Sequence, residues 1–325
     1  MVRAIRIHKT GGPEVMVLED VAAIAPGAGE VRIRHKSIGI NFIDTYFRSG
    51  MYPSPSGLPF TPGNEAAGDV IAAGKGVKGF KVGDRVAYVA SPGSYAEERN
   101  VAAAMLVKLP KSVSYDQAAG MMLKGLTCEY LLFRSYKLKK GDTVLIHAAA
   151  GGVGVILTQW ARKLGAKVIG TAGSASKAAI AKKNGCHHVI LYRDEDFAAR
   201  VKAITKGKLC EVVYDGVGKT TFPASLDCLK PLGTLVSFGS ASGPIDAFNI
   251  GILGPKGSLF VTRPTLFTFI SNRKTLEKMA ARLFSVVKSG KVKIPVTARF
   301  PLADAVKAHQ ALEGRETTGS VVLVP

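Results

Sequence analysis

At one point in the chain a short apolar run ends in small residues, an arrangement that suits a phosphate group. Val144-Leu145-Ile146-His147 leads through Ala148-Ala149-Ala150 into Gly151-Gly152-Val153-Gly154. Ala149, Gly151 and Gly154 stand at the three small-residue positions of a dinucleotide-binding turn, with alanine in the first. Small side chains let backbone amides approach a pyrophosphate, and the start of the following helix adds positive partial charge. Val153, Ile156, Leu157, Trp160 and Leu164 recur at helical spacing, and Gly165 then supplies a left-handed stop. A glycine turn alone is weak, but strand, turn and helix come here in the required order.

The second clue is a missing residue. A NAD-type site places a carboxylate about 20 positions further on, at the end of the second strand, to hold the ribose hydroxyls. That stretch reads Val168-Ile169-Gly170-Thr171-Ala172-Gly173-Ser174-Ala175-Ser176-Lys177, and after Asp142 the next carboxylate is Asp194. A carboxylate would repel a 2′-phosphate, whereas Gly173, Ser174 and Lys177 offer amide, hydroxyl and ammonium groups. NADPH is the cofactor this pattern selects; the bland reading leaves Lys177 an ordinary exposed helix lysine.

Other chemistries find less support. His8, His35, His147, His187, His188 and His309 show no metal-ligand spacing, and no Gly-x-Ser-x-Gly turn suggests a covalent hydrolase. His187 and His188 are expected to face opposite sides of a strand edge, one packed and one solvated. Cys128, Cys186, Cys210 and Cys228 are scattered, a pattern of reduced, buried thiols rather than of a disulfide framework or zinc ribbon.

These groups need a scaffold, and the apolar runs describe one. Thr143 to His147, Lys167 to Thr171, His188 to Leu191, Glu211 to Tyr214, Thr234 to Phe238 and Ser258 to Thr262 read as six strands alternating with helices, the rhythm of a doubly wound parallel sheet. Residues 1–124 instead show short alternating strands broken by Pro26-Gly27, Pro62-Gly63, Lys75-Gly76 and Val82-Gly83, as in a mostly β domain. Residues 265–325 hold two helical stretches, Thr275 to Ser289 and Ala303 to Leu312, and a strand at Ser320 to Val324. They are too few for a core of their own and are expected to complete the first domain. The expected domains are thus 1–124 with 265–325, and 125–264. A length of 325 residues and 47% hydrophobic composition accord with two such cores. The opening residues alternate like a strand and lack a secretory core, so the cytoplasm is the expected compartment. The net charge of +20 favours anionic partners. Nucleic acid fits that charge, but the basic residues are dispersed and not interleaved with aromatics, so a solvated basic surface is the preferred reading.

The order of motifs resembles the medium-chain dehydrogenase/reductases, and among them the zinc-free quinone oxidoreductase (zeta-crystallin-like) branch. The resemblance is carried by Ile38-Gly39-Ile40-Asn41-Phe42-Ile43-Asp44-Thr45-Tyr46, Pro62-Gly63-Asn64-Glu65-Ala66-Ala67-Gly68, Gly83-Asp84-Arg85-Val86, Lys124-Gly125-Leu126-Thr127, the Ala148 to Gly154 loop, Val213-Tyr214-Asp215-Gly216-Val217-Gly218, Ser237-Phe238-Gly239 and Val261-Thr262-Arg263-Pro264. They run in order over essentially the whole chain. The resemblance implies a Rossmann-type α/β domain with a doubly wound parallel sheet, plus a mostly β GroES-like catalytic domain. Zinc-dependent members carry ligands where this chain has Asn41 and Asn64 and near Lys124, so metal-assisted alcohol chemistry is disfavoured. The implied activity is NADPH-dependent reduction of quinones, with a 2-alkenal or enoyl reductase as the neighbouring alternative and a nucleic-acid-binding protein as the alternative of another class. The implied catalytic residues are Asn41, Tyr46 and Tyr52, with nicotinamide beside Asn41 and Thr127. Gly173, Ser174, Lys177 and Tyr192 would meet the extra phosphate and Gly152 and Val153 the pyrophosphate. Val217, Phe238, Gly239, Ser240, Arg263 and Arg315 would line the remaining channel. Members of the family commonly form homodimers through the edge of the parallel sheet, here Ser258 to Thr262.

Overall fold

Period-two patterning governs the first part of the chain. In Glu30–Gly39 the side chains of Val31, Ile33, His35 and Ser37 are buried while Arg34 and Lys36 point outward, as a strand with one face on a core requires. The computed structural model describes residues 1–325. Its elements begin with β1 (Val2–Ile7), β2 (Met16–Val21), β3 (Glu30–Gly39), α1 (Phe42–Ser49), β4 (Glu65–Ala73), β5 (Arg85–Val89), β6 (Glu98–Ala102), β7 (Leu106–Lys108) and α2 (Tyr115–Tyr130). They continue with β8 (Thr143–Ile146), α3 (Gly152–Lys163), β9 (Lys167–Ala172), α4 (Ala175–Lys183), β10 (His188–Leu191), α5 (Phe197–Ile204), β11 (Cys210–Asp215), β12 (Leu229–Ser237) and β13 (Phe260–Thr262). The chain closes with α6 (Leu266–Ile270), α7 (Arg273–Lys288), β14 (Val296–Pro301), α8 (Ala305–Glu313) and β15 (Ser320–Val324).

The chain divides into a first unit of Met1–Lys124, Ile270–Lys288 and Ile294–Pro325 and a second of Gly125–Phe269 with Ser289–Lys293. In the first unit a seven-stranded sheet has the order β14-β15-β3-β4-β5-β7, with β6 also on β3, and β1 and β2 form a separate antiparallel pair. The C-terminal strand is stitched in by the pairing of Val322 with Gly39 and Leu323 with Ile38. Its core gathers Ile5, Ile33, Ile38, Tyr88, Leu106 and Leu323.

In the second unit six parallel strands take the order β10-β9-β8-β11-β12-β13. Counted within that unit this is 3-2-1-4-5-6, the order of a dinucleotide-binding sheet, whose ligand crevice opens beyond the carboxyl ends of the strands where the order reverses, between β8 and β11. Its strands bury nearly continuous apolar runs such as Val144 to Ile146 because helices cover both faces. Gly165, at φ +88°, ends α3 in the left-handed conformation expected of it. The expectation for His187 and His188 is corrected: both are exposed, His187 preceding β10 and accepting the Val168 N–H at 3.0 Å through Nδ1. No helix is long and apolar enough to cross a membrane.

Candidate active site

The small-residue turn closes tightly over its strand. A Cβ on Gly154 would lie 2.3 Å from the Ala148 carbonyl oxygen and 2.8 Å from backbone atoms of Ala149, so only glycine allows the first turn of α3 to pack there. Gly151 caps α3 in extended conformation, and Gly152 and Val153 open the helix, which leaves their amides at its positive end. The cradle therefore fits a pyrophosphate by its own geometry. Cys128 is buried with its Sγ 3.6 Å from the Val153 carbonyl, and burial raises its thiol well above the ordinary range, so it is packing rather than a thiolate nucleophile.

At the end of β9 the register pairs Ala172 with Leu191 of β10, which brings Tyr192 beside Gly173. A Cβ on Gly173 would come within 2.8 Å of the Tyr192 hydroxyl. Ser174 caps α4 by accepting the Lys177 N–H at 3.3 Å, which seats Lys177 in the first helical turn. Gly173, Ser174, Lys177 and Tyr192 thus come together with no carboxylate among them. A third cluster gathers beyond β11, β12 and β13. Arg263 donates to the Ser237 hydroxyl at 3.1 Å, the Gly239 carbonyl at 2.7 Å and the Ser240 hydroxyl at 3.1 Å. Gly216 lies under the Phe238 ring, and the Val217 carbonyl accepts the Ser242 hydroxyl at 2.9 Å. Thr127, buried in α2, also belongs to the second unit.

Asn41, Tyr46, Tyr52 and Arg315 belong to the first unit. Asn41 caps α1, Tyr46 is buried within it, and Tyr52 packs edge-on against Tyr46 with centroids 5.3 Å apart. Arg315 follows α8 at φ +60°. Asn41 and Lys124, singled out above with Asn64 by the resemblance to zinc-dependent members, meet on one carboxylate. Asn41 Nδ2 donates to Glu65 Oε1 at 2.8 Å, and the Lys124 ammonium donates to the same oxygen at 3.2 Å and to the Ile40 carbonyl at 3.0 Å. The Leu123 N–H donates to Glu65 Oε2 at 2.6 Å. Asn64 donates from Nδ2 to the Ala90 carbonyl. Two amides and an ammonium are not zinc donors, and no cluster of three or more His, Cys, Asp or Glu exists that could hold a metal ion.

Sequence reading missed what holds α1. Arg48 has only donors, so His309 Nδ1, 2.8 Å from Arg48 Nη1, must accept. The imidazole proton then sits on Nε2 and faces the Tyr95 oxygen at 2.9 Å, and the Tyr95 O–H donates to Asp44 Oδ2 at 3.0 Å. Asp44 Oδ2 also accepts the Asn41 N–H at 2.8 Å, which ties this chain to the helix cap. Contacts spanning 51 to 261 residues leave no local signal.

Burial pushes Asp44 up to about 7 against the opposing hydrogen bonds from Asn41 and Tyr95; burial, with Arg48 adding to it, pushes His309 down to about 3, and burial pushes His35 down to about 4. These shifts act in opposite senses. Between about pH 4 and pH 7 folded Asp44 holds a proton that the unfolded chain releases, so its contribution to stability falls as pH rises. Between about pH 4 and pH 6.5 the two histidines are neutral when folded and charged when unfolded, so theirs grows as pH rises. Asp44→Asn removes the falling contribution alone. Urea unfolding of this variant between about pH 4.5 and pH 6.5 is expected to show a steeper gain in stability with pH than wild type. Parallel profiles would mean that Asp44 ionises normally.

Comparison with known proteins places this geometry. Residues 27–133 match the family described as Alcohol dehydrogenase GroES-like domain, and residues 152–285 the family described as Zinc-binding dehydrogenase. The Pseudomonas aeruginosa protein named Quinone oxidoreductase is 51% identical over 100% of both chains. The Burkholderia protein named 2-haloacrylate reductase is 48% identical over 100% of this chain and 99% of its own. The crystal structure of Escherichia coli quinone oxidoreductase complexed with NADPH superposes with a TM-score of 0.98 at 49% identity, covering 99% of this chain and 100% of that one. The second matched family carries zinc in its description, yet where the resemblance to zinc-dependent members implies ligands this chain has Asn41 and Asn64 and, near the third, Lys124. With likeness this extensive and side chains of this kind at those positions, the chain belongs to the zinc-free quinone oxidoreductase (zeta-crystallin-like) branch of the medium-chain dehydrogenase/reductase superfamily.

Proposed function

We propose that this protein is an NADPH-dependent quinone reductase that works without a metal. The observation that carries the cofactor preference is the carboxylate-free group of Gly173, Ser174, Lys177 and Tyr192 at the ends of β9 and β10. In this reading the amides of Gly152 and Val153 hold the pyrophosphate. The Ser174 hydroxyl, the Lys177 ammonium and the Tyr192 hydroxyl hold the 2′-phosphate, and Val217, Phe238, Gly239, Ser240, Arg263, Arg315 and Thr127 hold the remainder. Bound NADPH supplies a hydride. Asn41, Tyr46 and Tyr52 orient the acceptor, and a tyrosine hydroxyl donates to the oxygen on which charge develops. A quinone spreads that charge by conjugation, so the site needs no Lewis acid. The 2-haloacrylate reductase relative adds a conjugated acid to the acceptors to be assayed. A homodimer joined at the exposed β13 edge, where Phe260 is 59% exposed, and a cytoplasmic setting complete the proposal. The basic surface is assigned to steering a phosphorylated cofactor rather than to nucleic acid.

The deciding assay follows NADPH consumption with a panel of quinones, enones and a haloacrylate, NADH serving as control. Oxidation is expected with quinones and NADPH, and its absence with every acceptor overturns the function. The cofactor assignment is tested by Lys177→Ala. Loss of one charge-assisted contact is expected to raise the NADPH Kd by about 10- to 100-fold and to leave the NADH Kd within about twofold. Equal losses for the two cofactors would place Lys177 elsewhere.

A further inference from the structure

Four polar side chains are buried beneath the cofactor loops of the second unit: His147, Thr171, Ser225 and Asp215. His147 lies between two hydroxyls, with Nδ1 at 3.1 Å from Thr171 Oγ1 and Nε2 at 3.0 Å from Ser225 Oγ. The direction of every proton follows from the partners. The Ser225 hydroxyl has two acceptors, Asp215 Oδ2 at 3.1 Å and the Thr221 carbonyl at 3.0 Å, and its single proton goes to the carboxylate, the stronger acceptor of the two. Its oxygen therefore accepts from His147, which puts the imidazole proton on Nε2. Nδ1 must then accept the Thr171 O–H, and the Thr171 oxygen is left to accept the Ala148 N–H at 3.2 Å. Burial lowers His147 below the ordinary histidine range although Asp215 opposes it, a shift in the direction of the neutral ring.

The ends of this chain are the two loops that flank the switch in strand order. Ala148, at φ +51°, is held in the left-handed region that alanine avoids, at the first residue of the phosphate turn. The next amide, Ala149 N–H, is fixed by the Thr171 carbonyl at 3.0 Å. At the other end Asp215 Oδ1 accepts the N–H groups of Val217 at 2.8 Å and Gly218 at 3.1 Å. One directed series of hydrogen bonds thus joins the ends of β9, β8 and β11 and pins a loop at each extremity.

We propose that Thr171, His147, Ser225 and Asp215 form a relay of positioning residues that presets the phosphate turn and the Val217 loop for a dinucleotide without touching it. This rests on the NADPH reading above and extends it inward. A relay under the pyrophosphate acts on the part that NADPH and NADH share, unlike Lys177, which faces only the added phosphate.

Thr171→Val keeps the shape and removes the hydroxyl, whereas Thr171→Ser keeps the hydroxyl. Fluorescence titration is expected to show T171V raising the Kd for NADPH and for NADH alike by about tenfold, with T171S within about twofold of wild type. At saturating NADPH the quinone KM and kcat of T171V are expected to stay at wild-type values. The wild-type 15N imidazole spectrum, with His147 assigned by its loss in His147→Gln, is expected to report the Nε2–H tautomer. Wild-type affinities in T171V, a loss in T171S as large as in T171V, or an Nδ1–H tautomer would each overturn the relay. Should T171V not fold, Ser225→Ala is expected to weaken both cofactors in the same way, and unchanged affinity there is equally decisive against it. A wild-type protein that binds neither nucleotide removes the cofactor reading itself, a result distinct from intact wild-type binding with an indifferent T171V.

Discussion

Lys124→Met is expected to lower the folding stability of the protein by about 3–5 kcal/mol, the usual cost of stranding a buried charge. The Glu65 carboxylate is fully buried and takes hydrogen bonds from Asn41, Leu123 and Lys124, of which only the last brings a compensating charge. Asn41 and Leu123 supply dipoles, and dipoles alone do not offset the desolvation of a carboxylate. The surroundings cannot relax to admit water cheaply either. A Cβ on Gly39 would already lie 2.1 Å from the Ala119 carbonyl and 2.4 Å from Glu65 Oε1, so strand β3, helix α2 and this side chain are in close contact. If the missing countercharge is the cause, Glu65→Gln in the same chain should restore at least half of the loss, since the glutamine carbonyl oxygen still accepts the Leu123 N–H and its amide nitrogen donates to Asn41 Oδ1 once the Asn41 amide turns over. Urea titrations of the two single variants and the double variant form the cycle that tests it. A loss under about 1 kcal/mol in Lys124→Met would show that the pair is hydrated and that the ammonium is a surface charge.

The contrast between this buried pair and the phosphate turn explains what could be read in advance. The phosphate turn was legible because its whole logic is local: strand, small residues and helix are consecutive, and the absent carboxylate lies one strand further on. The same holds for strands such as His188–Leu191, whose bounds coincide with the apolar run. Strand β12 was harder. It begins at Leu229, but Pro231, Leu232 at φ +61° and Gly233 interrupt the pattern, so the run looks like a strand only from Thr234. Lys124 could not be recognised as buried at all, since 6% exposure is exceptional for lysine and depends on Glu65 and on the Ile40 carbonyl, 59 and 84 residues away. The Arg48, His309, Tyr95 and Asp44 chain is hidden for the same reason. Its members become neighbours only when α8 returns to the first unit, and no periodicity within any segment encodes that return.

The turn's local logic sets up the other large effect. Gly154→Ala is expected to raise the NADPH Kd by about a hundredfold or more, about 2.7 kcal/mol. The added methyl meets backbone on every side: the Ala148 carbonyl oxygen at 2.3 Å and the Cα and carbonyl carbon of Ala149 at 2.8 Å. No rotamer change relieves a clash with backbone, so α3 must back away from β8, and the amides of Gly152 and Val153 go with it. Amides displaced by even about 1 Å no longer converge on the phosphate oxygens, because hydrogen-bond strength falls steeply with distance and angle. The shift has a built-in reporter. Trp160, the single tryptophan, is buried on α3 with its ring edge-on to Phe133 at 5.6 Å between centroids. Its emission should change in Gly154→Ala before any ligand is added. Wild-type affinity together with wild-type Trp160 emission would mean that the turn tolerates a side chain, and the close helix-to-strand contact could then no longer be what makes the site.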